Sequence, residues 1–93
     1  MRRIKRTTQF KRDYKREKAG RHRAALDNNL LAAITSLATD VALPERARDH
    51  ALTGDWKDYR DCHVKPDLVL IYRKPDADTL ELVRLGSHSE LGL

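Results

Sequence analysis

A lone cysteine, Cys62, has nothing within the chain to pair with, which excludes both an intrachain disulfide framework and a zinc site built on cysteine pairs. The longest strongly apolar run, Leu68 to Tyr72, is far too short to cross a bilayer. MRRIKR has the charge of a secretion signal's first residues, but TTQFKRDYKREK follows in place of the apolar stretch such a signal needs. A reducing cytoplasm is the compartment these shortages predict. Three prolines and four glycines in 93 residues leave no low-complexity linker, and no internal repeat is visible. The length suffices for one compact domain over residues 1–93 and not for separate catalytic and binding domains, so any active site must lie on the surface of one small fold.

What the chain has in excess is positive charge at one end. The total is 19 Lys and Arg against 14 Asp and Glu, a net +5. Residues 1–23 carry 11 basic and 2 acidic side chains, a net +9, and residues 24–93 carry 8 and 12, a net −4. Such asymmetry favours a polyanion at the N-terminal segment, because neutralising phosphates releases counterions. A solvated helix face and an acidic protein partner fit the same pattern.

Periodicity gives the architecture. Arg3 to Arg6 reads as a short edge strand. The pair Thr7-Thr8 caps a helix starting near Gln9, in which Phe10 and Tyr14 face one way and Lys11, Arg12, Lys15, Arg16 and Lys18 cover the rest. Gly20 ends it. A second helix, from Arg21 or Arg23 to Leu37, presents Leu26, Leu30, Ile34 and Leu37 at helical spacing, with Leu31 and Ala38 broadening the stripe. Between Thr39 and Trp56 the period is lost, and Pro44, Gly54 and many charges predict a surface loop that holds Asp49-His50. An antiparallel meander follows: Tyr59 to Val64, a turn at Lys65-Pro66, Leu68 to Arg73, a turn at residues 75–78, and Thr79 to Leu85. Alternation in the last strand groups Leu80, Leu82 and Arg84 against Glu81, Val83 and Leu85. The expected fold is α+β, a two-helix hairpin on one face of a small sheet whose other face is free for a ligand.

The segment DCHVKPD, residues 61–67, crowds acids and an imidazole beside the core run LVLIY. In a strand Asp61 and His63 share a face and Cys62 points the other way, as a small buried thiol. Asp67 lies just past Pro66 and is expected to fold back towards them. His88, in GSHSE after the last strand, and His50, on the preceding loop, are expected to complete the group, with Gly86 permitting an unusual turn and Ser87 supplying a hydroxyl. His22 reads as a surface residue. Imidazoles oriented by carboxylates suit general acid and base work near neutral pH. Cleavage of RNA by its own 2′-hydroxyl needs a base, an acid and a cation for the phosphorane, and Arg84 is the natural phosphate clamp. His and Asp are also ligands for zinc or manganese, although their spacing here matches no compact ligand motif.

Two stretches, DHALTGDWKDYRDCHVKPDLVLIYRK (49–74) and RLGSHSEL (84–91), closely resemble the RelE/ParE superfamily of bacterial toxins, and within it the YafQ-like mRNA interferases. The elements L-x-G-x-W-x-x-Y-R-x-x-H-x-x-P-D and G-[ST]-H-x-x-L carry the likeness jointly. The resemblance implies a RelE-like fold and a ribosome-dependent endoribonuclease that cuts translated mRNA in the decoding site, with no metal or other cofactor. It implies basic surfaces on ribosomal RNA, a cognate antitoxin that blocks the site, and operator DNA contacted through that antitoxin. The corresponding working residues are His50 and His88 as the proton-transfer pair, Asp67 as a third acid/base or orienting group, His63 with Asp61 as positioning partners, and Arg84 as transition-state stabiliser. Lys11, Arg12, Lys15, Arg16 and Lys18 are the expected RNA- and ribosome-binding cations. Two positions depart from the family: no aromatic follows H-x-x-L, and Leu68 stands where a tryptophan can follow P-D. Codon preference is the property those departures touch. A module of the same fold that binds the ribosome or nucleic acid without cutting is the alternative.

Overall fold

The computed structural model describes all 93 residues. Strand β1 (Arg3–Arg6) leads into helix α1 (Thr8–Lys18), where the Thr7 hydroxyl accepts the Phe10 N–H at 3.0 Å, the cap that the Thr7-Thr8 pair predicts. Helix α2 (Leu26–Ala38) starts later than the expected Arg21 or Arg23. Residues 20–25 form turns instead, and these turns carry His22 inward. Its imidazole is 9% exposed with Nε2 3.4 Å from Asp67 Oδ1, so it is not the surface residue expected.

Five strands form one sheet in the order β1-β5-β4-β3-β2. The meander β3 (Arg60–Lys65), β4 (Leu68–Arg73) and β5 (Thr79–Gly86) is antiparallel, and β1 runs parallel to β5 at the edge. The loop expected between Thr39 and Trp56 contains one more strand, β2 (His50–Ala51), which pairs His50 with Asp61 and Ala51 with Arg60. Two residues are too few to show a period-2 pattern, so nothing in the local sequence announces it. A short helix, α3 (His88–Leu91), closes the chain.

The main core lies between the helices and one face of the sheet, where Phe10, Leu26, Leu30 and Leu37 meet Cys62, Leu68, Leu70, Tyr72, Leu80, Leu82 and Leu85. Leu31, expected in the stripe, is 64% exposed, because the helix turns it past the sheet. The other face carries a smaller cluster of Val69, Ile71 and Leu91, flanked by Leu52, Trp56, Tyr59 and Val83. Strict alternation in β5 fails at a bulge: Ile71 pairs with Arg84 but the next residue, Tyr72, pairs with Leu82. The extra residue shifts the register by one, so that Leu85 joins Leu80 and Leu82 in the core while Val83 and Arg84 both fall opposite Ile71.

The outer edge of β5 is closed by two different devices. β1 pairs with it only from Thr79 to Leu82. Beyond that point side chains at the head of the chain take over: Thr7 Oγ1 donates to the Val83 carbonyl at 2.8 Å, Asp13 Oδ2 accepts the Leu85 N–H at 3.0 Å, and Arg16 Nη2 donates to the Leu85 carbonyl at 2.8 Å. Backbone groups that a strand end would leave unpaired are thereby satisfied. Gly86 makes no unusual turn. Its missing Cβ leaves room for Arg16, whose Nη2 would lie 2.9 Å from such an atom.

The neighbours Leu30 and Leu31 test this placement. Leu30→Ala, at a position 5% exposed, is expected to cost about 2–5 kcal/mol in chemical denaturation. Leu31→Ala is expected to stay within about 0.5 kcal/mol of wild type. Equal losses at the two positions would overturn the assignment of α2's buried face.

Candidate active site

Three elements converge on the sheet face opposite the helices. β3 supplies Asp61 and His63, which share that face as alternation requires, while Cys62 between them is buried in the main core and its thiol is pushed up to about 12 by burial. β2 places His50 directly across from Asp61. α3 places His88 over the end of β3, with its ring centroid 5.0 Å from that of His63 and the planes tilted by 59°. His50 and His88 are exposed, His63 is half-buried, and Asp61 is 2% exposed.

The position of His88 follows from local sequence. Ser87 caps α3 by accepting the Glu90 N–H at 3.1 Å, and Glu90 returns the bond by accepting the Ser87 N–H at 2.9 Å. That contact with the Ser87 N–H holds the Glu90 carboxyl below its usual range. The Ser87 hydroxyl is thus a cap. Leu91 anchors the helix in the smaller apolar cluster, so His88 stands on a turn fixed at both ends.

His50 is oriented by its own strand. Nδ1 lies 2.6 Å from the Arg48 carbonyl and 3.2 Å from Asp61 Oδ1. A carbonyl only accepts, so Nδ1 carries the proton and the lone pair of the neutral ring is left on Nε2. Arg48 adopts a left-handed backbone, φ 48°, as it turns the chain into β2. The carboxyl of Asp61 titrates above its ordinary range chiefly because of burial, and the nearby His50, His63 and His88 act against that rise. Its Oδ1 is buried with no well-aligned hydrogen bond. It is a carboxyl held close to three imidazoles by the sheet.

Arg84 occupies the same face through the β5 bulge, at the end of a cross-strand row His50, Asp61, Ile71, Arg84. Its guanidinium pairs with Asp13, Nε to Oδ2 at 2.7 Å. Asp67 is not brought into the imidazole group. Arg21 binds one of its oxygens and His22 approaches the other, in a polar cleft that also includes Ser87 and Glu90 at the base of α3. The turn lies at Pro66-Asp67, one residue later than expected, because β3 continues through a bulge to Lys65 and aims Asp67 towards the turns that follow α1.

The basic helix is used unevenly. Lys11, Arg12 and Lys15 are exposed. Arg16 is bound to Asp13, Glu17 and Glu90, and Lys18 is paired with Asp27. The residue that periodicity overlooked is Asp13. It is an acid on the buried side of a basic helix, three residues after Phe10, and that position is the signal that finds it. Leu68 is fully buried in the main core, so it contributes nothing to the open face.

A family model for the bacterial toxin of the type II toxin–antitoxin system, YafQ, matches residues 2–92. The chain belongs to the YafQ toxin family. The mRNA interferase toxin YafQ of Escherichia coli strain K12 is 39% identical over 90 residues, covering 95% of this chain and 97% of the relative. The toxin in the E. coli DinJ–YafQ complex superposes with a TM-score of 0.82 at 36% identity, over 98% of both chains. A metal-bound toxin from Helicobacter pylori matches with a TM-score of 0.81 at 40% identity over 98% of this chain and 99% of that one. In this YafQ-family chain no three His, Cys, Asp or Glu side chains are placed to share one ion. The α+β, RelE-like fold is that of these solved YafQ toxins. No helix is long and apolar enough to cross a membrane.

Asp61 makes the site costly. An acid whose folded pKa lies above its unfolded value of about 3.9 carries no penalty while it is protonated in both states. The penalty grows as pH rises from that value through the folded one, and is full above it. Asp61→Asn, which keeps the shape and removes the charge, is therefore expected to be more stable than wild type at pH 7 and to lose that advantage near pH 3. A difference that is the same at both pH values would show that ionisation of Asp61 is not its source.

Proposed function

We propose that this chain is a ribosome-dependent endoribonuclease that cuts translated mRNA in the decoding site, by attack of the 2′-hydroxyl on the adjacent phosphorus. The observation that carries this reading is His50, exposed, with its proton committed to the Arg48 carbonyl and its Nε2 lone pair left for chemistry. His50 Nε2 takes the 2′-hydroxyl proton. The new 2′-O–P bond forms and the P–O5′ bond breaks, leaving a 2′,3′-cyclic phosphate. His88, protonated, gives its proton to the departing O5′. His63, whose ring lies beside His88, and Asp61, beside His50, hold the pair in place. Arg84 faces the charge of the phosphorane. Asp67, whose carboxylate is taken by Arg21 and His22, orders the cleft at the base of α3 and takes no part in the proton transfers.

Lys11, Arg12 and Lys15 form the unpaired part of the basic surface that meets ribosomal RNA, while Arg16 and Lys18, also exposed, are in partnership with acids. The protein partner is a cognate antitoxin, on the pattern of the E. coli DinJ–YafQ complex, with operator DNA reached through that antitoxin. Translating ribosomes place the action in the cytoplasm.

Primer extension on a message translated by purified ribosomes tests the mechanism. New 5′ ends are expected with wild type, and each of His50→Ala and His88→Ala is expected to slow their appearance by roughly 10²- to 10⁴-fold. New ends that persist in both variants would sink the acid/base assignment. Ribosome pelleting without any new ends would mark the chain as a binding module.

A further inference from the structure

A long arginine side chain helps a reaction only if its guanidinium is aimed, because a flexible cation must be ordered at the moment of reaction. Asp13 is 2% exposed, and nothing in the acid/base scheme uses it. Its Oδ2 accepts Arg84 Nε at 2.7 Å and the Leu85 N–H at 3.0 Å, and its Oδ1 accepts Arg84 Nη2 at 3.3 Å and Arg16 Nη1 at 3.1 Å. The pairing with Arg84 is bidentate, spans 71 positions in sequence, and leaves Arg84 Nη1 without a protein partner. Asp13 is itself fixed, since the Leu85 N–H it accepts belongs to the strand that bears Arg84.

The geometry points to Asp13 as the positioning residue of this site: it locks the Nε edge of Arg84 so that Nη1 is presented to the substrate phosphate at the sheet face. The inference rests on Arg84 acting as transition-state stabiliser. The bulge in β5 brings Arg84 to the row of Asp61 and His50, and the carboxylate on α1 then fixes its outer edge. If Asp13 served the fold alone, the Leu85 N–H and Arg16 would satisfy it and Arg84 would be free to swing.

The test measures maximal cleavage rate and half-saturating concentration on programmed ribosomes for wild type, Asp13→Asn, Arg84→Ala and the double variant. Asp13→Asn is expected to lower the maximal rate roughly 10- to 100-fold with half-saturation nearly unchanged. It is expected to have no further effect once Arg84 is alanine. An equal loss in both backgrounds, or a folded Asp13→Asn protein that cuts at the wild-type rate, would overturn the proposal. If instead Arg84→Ala cuts as wild type does, the role given to Arg84 falls, and the proposal with it. A second measurement needs no variant: in wild-type protein the Arg84 Nε–H is expected to give a shifted NMR resonance that exchanges slowly with water. A free-arginine shift and solvent-rate exchange at Nε would overturn the proposal even if Asp13→Asn fails to fold.

Discussion

One buried carboxylate on a basic helix joins three parts of the molecule. Asp13 receives a strand N–H and two guanidinium groups, so its negative charge is compensated where an unpaired buried charge would be severely destabilising. Through Leu85 it fastens α1 to β5. Through Arg16, which also binds the Leu85 carbonyl and approaches Glu90, it reaches the cap of α3. The same contacts end the free edge of β5 without a further strand. Both features that define the open face, the bulged Arg84 and the turn bearing His88, are therefore held from α1 on the other side of the sheet.

The sheet divides the work between its faces. Towards the helices it is continuous hydrocarbon, with Leu68, Leu70, Leu80 and Leu85 fully buried, and this burial supplies most of the driving force for folding. Towards solvent a smaller floor of Val69, Ile71 and Leu91 supports polar side chains. β4 is buried on both faces and reads as an unbroken apolar run, which makes it a rigid backing for groups that must hold their geometry. On that backing the fold tolerates Asp61, a buried carboxyl with a poorly satisfied oxygen. A burial that weakens the fold and strengthens the local field is characteristic of a site that places charge for chemistry.

How legible each part was depended on whether the controlling interaction was local. The division of Asp61 and His63 from Cys62 follows from strand alternation alone, and holds because β3 stays regular up to His63. The Thr7 cap and the two-helix order are equally local. Alternation in β5 misassigned Arg84 and Leu85, because a bulge shifts the register and its cause is pairing with β4. β2 was invisible, since two residues acquire a strand's identity only from Asp61 and Arg60 across from them. Spacing alone puts Asp67 with the histidines, because it sets the turn one residue early, at Lys65-Pro66. His22, unremarkable in sequence, is carried inward by the turns of residues 20–25 and comes to lie beside Asp67. Each of these errors lies at a long-range contact that sequence spacing does not encode.

Formal charge is a similar case, because what matters is which charges remain free after folding. Of the basic side chains in residues 1–23, Arg2 is paired with Asp40, Arg16 with Asp13, Glu17 and Glu90, Lys18 with Asp27, and Arg21 with Asp67. Most of these acids come from the negative remainder of the chain, so folding spends part of the asymmetry on itself. Apart from the exposed Arg23, the cations it leaves unpaired run from Arg3 through Lys5, Arg6, Lys11 and Arg12 to Lys15, along β1 and the first two turns of α1. Free positive charge is thus concentrated at the head of the chain more sharply than composition implies. A polyanion meeting this molecule is drawn to that patch first, because screened attraction falls away within about 8–10 Å at moderate salt. Cations farther along α1 act on it mainly through the geometry they hold.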